Sequence, residues 1–372
     1  MKSNANFLPN TFKQHKVRLF QGPITFAEAD KLLNELETLS CQKEEPLEGP
    51  LVLYGKGNLG KLAKAYCKAV GQPVAAHISQ GEYYSYDSTV AVCIVNEPYT
   101  PIEQSLRFYK RVLPFYDLTE HFKDKHPLNN GWYATSSSPN TNIVSSQWSD
   151  DTSRAHHVQF IAWRKAREEW KFIGAPVTTN DRYFIPEVMD ALKDNEHFLD
   201  IGAHHGDVVR EFRERTEWKY KAITAVDPDP YNAVAFQAKT PNDNKTCYLK
   251  YTISDGYGKA MFHYGLGYCS QLADSGKLQV DTVPIDGQFG YPSFIKIHIE
   301  GHELAALKGA IKTITNLRPI LAVTVYHNSD GIWETPLWLM QNCKNYNFHF
   351  RNHGWCGTGA VVYAIPKERY ES

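Results

Sequence analysis

The chain has 372 residues, of which 42% are hydrophobic and 22% are charged, as in an ordinary globular protein long enough for two domains. Its 40 basic and 41 acidic side chains give a formal net charge of −1, so the composition predicts no nucleic-acid partner and no polybasic membrane anchor. The sequence has no apolar run of about 18 residues, and we expect no membrane span.

The first residues and the cysteines indicate a cytoplasmic protein. Met1-Lys-Ser-Asn-Ala-Asn-Phe7 lacks the apolar core of a signal peptide. The seven cysteines are dispersed and never form C-x-x-C, a pattern typical of reduced thiols.

The N-terminal third predicts a helical segment followed by a small α/β domain. In residues 1–48, apolar side chains recur at helical spacing between Ala27 and Leu39. In residues 49–125 the predicted strands and helices alternate as in a Rossmann-like domain. Its predicted elements are strands at 51–54, 74–78 and 90–95 and helices at 61–70 and 102–112.

Residues 55–60 read Gly-Lys-Gly-Asn-Leu-Gly between a strand and a helix, which is the context of a dinucleotide-binding loop. The acid expected after the next strand is missing, because Ser79 and Gln80 stand there. An NAD(P)-dependent oxidoreductase therefore remains an alternative that lacks one of its markers. We favour a Rossmann-like domain that no longer binds a nucleotide, or binds a sugar nucleotide instead, and that orients a substrate or mediates dimerisation.

Residues 126–182 predict a linker and a helix. Asn, Ser, Thr, Pro and Gly are frequent from 126 to 147, and the cluster Ser149–Arg154 is suited to cap a helix over 156–171.

Residues 183–372 predict a larger and regular α/β domain. An amphipathic helix is clearest at 303–316. The last two strands are too close in sequence for a helix between them, so we expect an antiparallel hairpin. The seven predicted strands are 198–202, 221–227, 247–253, 294–299, 319–326, 346–351 and 360–365.

A nucleotide-type cofactor site is predicted where these strands end. Asp200 and the turn through Gly202 to Gly206 follow the first strand, and Asp227 ends the second at a spacing suited to hold a ribose. Ser254 and Asp255 end the third strand, where a polar pair can contact adenine. The candidate cofactor residues are Asp200, Gly202, Ala203, His204, Asp227, Ser254 and Asp255.

From about residue 149 to the C-terminus the chain resembles the FkbM-type methyltransferases. The resemblance rests on Asp200-Ile-Gly-Ala203, on Ile295-Lys-Ile-His-Ile-Glu-Gly-His-Glu303, on Leu307-Lys-Gly-Ala310 and on Arg318 to Val323 with Tyr326-His327. It implies a class I methyltransferase fold, S-adenosylmethionine as cofactor and a hydroxyl group as acceptor, often in a sugar-containing molecule.

His298 stands where the family usually has an acidic residue, at a position that borders the methyl-acceptor site. We therefore expect His298, Glu300 and His327 to be the catalytic residues, one of them acting as general base. The same three side chains are also of the types that bind a divalent metal ion, although the sequence does not favour a bound metal.

The sequence thus predicts an α/β protein with a class I methyltransferase Rossmann-like seven-stranded sheet in its C-terminal domain (183–372) and a smaller N-terminal Rossmann-like α/β domain. We expect an S-adenosylmethionine-dependent O-methyltransferase that acts on a small-molecule or saccharide acceptor, and homo-oligomerisation stays open. The alternatives are the oxidoreductase above and a non-catalytic partner protein that keeps the methyltransferase fold.

Overall fold

A computed structural model of the chain describes residues 15–39, 47–122, 125, 126, 128, 139–240 and 243–370. Parts of the predicted N-terminal segment 1–48 and of the predicted linker 126–182 therefore lie outside the described residues. In none of the described helices is there an apolar stretch long enough to cross a membrane.

The elements before residue 173 belong to a small parallel sheet and to the segments that join it to the rest of the chain. In chain order they are β1 (Val17–Phe20), α1 (Phe26–Thr38), β2 (Leu51–Tyr54), α2 (Asn58–Ala69), β3 (Ala76–Ile78), β4 (Thr89–Val92), α3 (Tyr99–Ser105), β5 (Arg111–Pro114), α4 (Phe115–Glu120), α5 (Pro139–Gln147), α6 (Asp151–Ala166) and β6 (Glu169–Phe172).

The elements after residue 173 build the larger sheet and a smaller one beside it. They are α7 (Pro186–Ala191), β7 (His197–Ile201), α8 (Asp207–Arg215), β8 (Ala222–Val226), α9 (Pro230–Lys239), β9 (Thr246–Leu249), β10 (Thr252–Ile253), β11 (Gly258–His263), β12 (Gln271–Leu272), β13 (Leu278–Val283), β14 (Phe294–Ile297), α10 (Glu303–Lys308), α11 (Ile311–Leu317), β15 (Ile320–Thr324), α12 (Glu334–Asn342), β16 (Tyr346–Asn352) and β17 (Ala360–Pro366).

The large sheet has seven strands in the order β16-β17-β15-β14-β7-β8-β9. All neighbouring pairs are parallel except those of β17, which runs antiparallel to both β15 and β16. The predicted fold class, with its terminal hairpin, is confirmed. The carboxyl ends of β7, β8, β14 and β15 consequently meet at one edge, where such sheets bind ligands.

The small sheet has four parallel strands in the order β3-β2-β4-β5. Its β5 corrects the helix predicted over residues 102–112, because α3 ends at Ser105 and Arg111–Pro114 pairs with β4. Val112 faces Val90 in that pairing, so burial beside a neighbouring strand outweighs the local helical pattern. The domain boundaries themselves stay a prediction.

Helix α6 joins the two sheets and is buried along nearly its whole length. It begins at the predicted cap, where the Asp150 carboxylate accepts from the backbone N–H of Ser153 (2.6 Å). The helix predicted over 156–171 is therefore shifted: it starts earlier, and it ends at Ala166 because the chain then forms β6, which pairs in parallel with β1. The Ser153 hydroxyl accepts from the backbone N–H of Phe350 in β16 (2.9 Å), which fixes α6 against the large sheet.

Two further differences arise from residues far away in the sequence. The helix predicted over 303–316 is divided into α10 and α11, because Gly309 packs on the Ser254 carbonyl so closely that a Cβ would lie 2.2 Å from that oxygen. The strand predicted over 247–253 is likewise divided, since β9 stays in the large sheet while β10 pairs with β13. The strands β10 to β13 form another four-stranded sheet, beside the large sheet, which the sequence analysis did not predict. We call it the second sheet, to distinguish it from the small parallel sheet.

Candidate active site

The loop after β7 forms one wall of a cavity of about 250 Å³ at the carboxyl edge of the large sheet. Gly202 has φ +76°, and a Cβ there would lie 1.9 Å from the carbonyl oxygen of His298. The backbone N–H groups of Gly202 and Ala203 donate to the Val226 carbonyl (2.8 and 3.1 Å). The predicted residues Gly202, Ala203 and His204 all line the cavity.

Asp227, at the end of β8, also lines the cavity and is 5% exposed. Its carboxylate accepts from the backbone N–H groups of His204 and Asp229 (both 2.9 Å) and from the Asn232 amide (3.2 Å). Burial raises the Asp227 pKa to about 6, although these donors oppose the rise. The carboxylate thus holds the loop after β7 in place beside the cavity.

Asp200 lies behind the cavity wall and does not line it. The side chain is fully buried, with Oδ1 2.9 Å from Nζ of Lys296, and Lys296 is the residue of this pair that lines the cavity. Lys296 also donates to the carbonyl of Gly202 (2.7 Å). In the structure the Asp200 carboxylate pairs with Lys296, which supports the loop, and a direct contact of Asp200 with the cofactor stays a prediction.

Ser254 and Asp255, the predicted adenine pair, also lie outside the cavity lining. Tyr251, Thr252 and Ile253 line it instead, because the chain leaves the large sheet after β9 and is shifted relative to an uninterrupted strand. The Ser254 backbone N–H donates to Val283 in the second sheet (3.1 Å).

The second sheet supplies a further part of the cavity wall that the sequence reading missed. In the sequence of β13, apolar and polar residues alternate from Leu278 to Asp281, and this period of two is a signal from which the strand can be predicted. The lining residues from this region are Phe262, Gly267, Ser270, Gln271 and Leu272.

The three predicted catalytic residues, His298, Glu300 and His327, come together at the ends of β14 and β15. Glu300 Oε1 lies 3.0 Å from His298 Nε2 and 3.4 Å from His327 Nε2. Glu300 has φ +52°, a left-handed backbone that its side chain disfavours and that aims the carboxylate between the two rings.

Three neighbours that the sequence reading missed hold this cluster. Glu303 Oε1 lies 2.7 Å from Nδ1 of His327, and its two oxygens also accept from the Thr324 hydroxyl and from the backbone N–H groups of Ile299 and Gly301. The Tyr183 and Tyr326 hydroxyls lie 2.8 and 3.3 Å from the ring nitrogens of His298. Glu303 belongs to the same motif as Glu300, so its position in the sequence was a usable signal.

The charges of the cluster follow from burial and from mutual contact. Burial, together with Arg182, lowers the His298 pKa to about 3. Burial disfavours charge on His327 and Glu300 as well, but the attraction between them outweighs it and raises the His327 pKa while lowering the Glu300 pKa. Without a further ligand, His298 is therefore neutral at pH 7.

A second and larger cavity, about 880 Å³, lies between the small parallel sheet and the large one. The carboxyl ends of β2, β3 and β4 face it from one side, and Tyr326 and His353 face it from the other. Arg182, His298 and Glu300 line both cavities, so the two spaces meet at the cluster.

The glycine pattern of residues 55–60 has a packing role in this second cavity. A Cβ on Gly60 would lie 1.8 Å from the carbonyl oxygen of Gly55, so the turn closes tightly on itself. At β3, where a dinucleotide-binding sheet would end in an acid, the His77 ring forms a hydrogen bond with that same carbonyl (2.8 Å). The oxidoreductase alternative gains no support from this geometry.

Comparison with known proteins gives a family match for most of the residues that line the first cavity. Residues 200–350 match the model of the methyltransferase FkbM domain. The crystal structure of the methyltransferase FkbM from Methylobacillus flagellatus KT is similar over 92% of this chain and 100% of that one, with 16% identity and a TM-score of 0.62, a likeness in fold.

The SAH-bound methyltransferase PaMTH1 of Podospora anserina matches over 68% of this chain and 98% of its own, with 12% identity and a TM-score of 0.31. None of the curated proteins matches this sequence.

Proposed function

We propose that the protein transfers a methyl group from S-adenosylmethionine to a hydroxyl group of a sugar-containing or other polar molecule, because residues 200–350 match the model of the methyltransferase FkbM domain. The observation that carries this proposal is the meeting of the two cavities at His298 and Glu300. A donor in one space and an acceptor in the other would come together at those two side chains.

The smaller cavity fits a nucleoside-type cofactor. Gly202 lets the loop after β7 pass close to the His298 carbonyl at the cavity wall, and Asp227 presents a buried carboxylate suited to ribose hydroxyls. The apolar surface around Ile253 suits a base. When bound, S-adenosylmethionine supplies a sulfonium methyl that passes to the acceptor oxygen as the carbon–sulfur bond breaks, while the hydroxyl proton remains to be accepted.

The larger cavity fits a polar acceptor. It combines hydrogen-bonding side chains with the rings of Tyr54 and Tyr116, a mixture suited to hydroxyl-rich molecules such as saccharides. The hydrogen-bonding side chains that line it include Lys56, Asn58, Ser79, Gln80, Asn96, Glu97, Ser105 and Thr179.

The cluster positions the acceptor oxygen and receives its proton. His298 and Glu300 face the larger cavity and lie at the junction with the smaller one, within hydrogen-bond reach of an acceptor hydroxyl placed there. His327, held by Glu303, fixes the direction of the Glu300 carboxylate.

Calorimetric titration with S-adenosylhomocysteine tests the cofactor half of this proposal. We expect binding by the intact protein, loss of binding in Asp227→Ala and unchanged binding in Asp255→Ala, whose side chain lies outside the cavity. No binding by the folded, intact protein would sink the methyltransferase proposal and favour a non-catalytic partner.

Formation of S-adenosylhomocysteine from S-adenosylmethionine, measured against panels of saccharides, phenols, amines and thiols, tests the acceptor half. We expect turnover with a hydroxyl acceptor and its loss in Glu300→Gln, which should still bind S-adenosylhomocysteine. Turnover confined to amines or thiols would contradict O-methylation.

A further inference from the structure

The cluster at the junction has the spacing of ligands around one metal ion. One nitrogen each from His298 and His327 and one oxygen from Glu300 lie within 4.8 Å of one another. The two contacts to Glu300 Oε1 measure 3.0 and 3.4 Å. Donor atoms bound about 2.0–2.2 Å from a single cation lie about 3.0–3.6 Å apart, so a cation fits among them with little rearrangement.

His327 has a buried nitrogen without a hydrogen-bond partner. Its side chain is 2% exposed, and among the described residues Nε2 makes no hydrogen bond, since Glu300 is close but not aligned for one. Nδ1 of the same ring is taken by Glu303. A buried nitrogen left without a partner is costly unless something binds it, and Nε2 is aimed into the cluster.

The neighbours have the arrangement that supports metal ligands. A histidine that binds a metal through one nitrogen usually donates the other N–H to a carboxylate, which fixes the ring and its tautomer. Glu303 stands in that position for His327 and is itself held by Thr324 and by two backbone N–H groups. The Tyr183 hydroxyl stands in the matching position for His298, at Nδ1.

A second cluster in the same chain provides a contrast. The ligand atoms of Asp150, Glu187 and His349 are equally close, but the Arg351 guanidinium bonds both carboxylates and supplies the positive charge. Within the described part of the chain, no lysine or arginine pairs with Glu300. The Arg182 guanidinium, which lines both cavities, donates to the Tyr326 hydroxyl (3.1 Å).

We propose that His298, Glu300 and His327 bind one divalent transition-metal ion of the Zn²⁺, Mn²⁺ or Fe²⁺ type. Two imidazoles and one carboxylate favour these ions over Mg²⁺ or Ca²⁺, which prefer oxygen ligands alone. Three protein ligands leave coordination positions open toward the shared cavity, as in catalytic metal sites.

The metal has a use that rests on the proposed methyl transfer. An acceptor hydroxyl bound at an open position would be fixed close to the smaller cavity, and its proton would leave more readily; with His298 and Glu300 held as ligands, that proton would pass to water in the larger cavity rather than to them. Metal binding itself does not depend on that function.

Titration of the EDTA-treated full-length protein with Zn²⁺, Mn²⁺ and Co²⁺ tests the site. We expect one ion per chain by calorimetry, and visible absorption from bound Co²⁺. Glu300→Gln and His327→Ala should weaken binding by more than about 100-fold, and Glu303→Gln by about 10- to 100-fold because it only orients His327.

Glu187→Gln is the matched control, because it alters the second cluster and should leave metal binding unchanged. Absence of binding in the intact protein would overturn the proposal, as would binding that Glu300→Gln and His327→Ala, shown to be folded by circular dichroism, both retain. S-adenosylhomocysteine binding measured on the same preparation separates the two proposals: cofactor binding without metal contradicts only the metal site, and metal binding without cofactor contradicts only the methyltransferase function.

Discussion

At the scale of single residues, the loop after β7 is packed so closely against the backbone of His298 that Gly202 has no room for a side chain. Gly202 combines a left-handed backbone with a carbonyl in the place of its absent Cβ. The contact is with the backbone of His298, so relief requires moving β14 and with it the catalytic cluster.

Gly202→Ala should therefore lower the free energy of unfolding by about 3 kcal/mol and abolish S-adenosylhomocysteine binding. Thermal melting and calorimetry check the two effects. Gly256→Ala is the control, because a Cβ there meets nothing within 4 Å and its backbone is not left-handed. Equal melting temperatures for the two variants would contradict the packing argument.

Asp227 should make cofactor binding depend on pH. Its pKa is raised by burial to about 6, so the carboxylate that accepts hydroxyl groups is neutralised as the pH falls through that value. The backbone N–H groups of Asp229 and His204 donate to this carboxylate and oppose the rise in its pKa, whereas the charge of the nearby Asp229 carboxylate adds to it. The S-adenosylhomocysteine affinity should fall by roughly tenfold per pH unit below about 6.

The same shift has the opposite sign for the stability of the protein without cofactor. Because the pKa of Asp227 is higher in the folded than in the unfolded protein, its stabilising contribution is complete below the ordinary value of 3.8 and is lost as the pH rises through about 6. Calorimetry at about pH 5 and about pH 8 checks the binding. A pH-independent affinity in the intact protein would rule out this role.

At the scale of elements, α6 is fixed by Asp150, the residue that caps it. Asp150 caps the helix and pairs with both Arg351 and His349 of β16, so one carboxylate joins the helix to the large sheet. Burial opposes ionisation of Asp150, but these partners outweigh it and hold its pKa below the usual range.

Asp150→Ala should lower the free energy of unfolding by about 3 kcal/mol, since it removes a cap and leaves a mostly buried arginine with one partner fewer. Because the folded pKa is lowered, the stability that Asp150 contributes is present above about pH 4 and lost as the pH falls below it. Urea unfolding at neutral and acidic pH checks both statements.

Asp151→Ala serves as the control for this helix. Its side chain is half exposed and pairs only with Arg154 one turn away, so we expect a change within about 0.5 kcal/mol. A loss as large as that of Asp150→Ala would assign the effect to helix charge rather than to the cap and its ion pairs.

Some of these elements can be predicted from local sequence patterns, and others depend on contacts that only the folded chain makes. The seven strands follow from local apolar runs, and Gly202 and Asp227 follow from their places at strand ends. The division of the 303–316 helix could not be predicted, because it arises from the contact of Gly309 with Ser254, which only the folded chain brings together. Ser254 lies outside the cavity lining for a related reason: β10 pairs with β13 instead of continuing β9, which changes the residues that line the cavity wall.

At the scale of the whole molecule, the larger cavity is lined by residues of both the small parallel sheet and the large sheet. Its far wall comes from the loops after β2, β3 and β4, so the small sheet should affect acceptor binding without affecting the cofactor. Asn96, an exposed residue after β4, lines only the larger cavity.

Asn96→Trp should fill part of that cavity and raise the acceptor KM by roughly tenfold, with S-adenosylhomocysteine affinity unchanged. Steady-state kinetics and calorimetry on the same preparation check the prediction. Lys308→Trp, on an exposed site of α10 outside both cavities, is the control. Weakened cofactor binding in Asn96→Trp alone would show that the two cavities are not separate in function.

The parallel pairing of β1 with β6 has a consequence for the continuity of the chain. The polypeptide leaves this two-stranded ribbon at Phe20 and returns to it at Glu169, and Phe20 and Phe172 stack across it with ring centroids 4.6 Å apart. The small sheet is thus an insertion between β1 and β6, and the pairing of these two strands holds both of its ends together. A single nick after the exposed Gly81 would leave a fragment still anchored through β1 to β6 and through β2 to β4, so the two pieces should stay associated and work as a split enzyme.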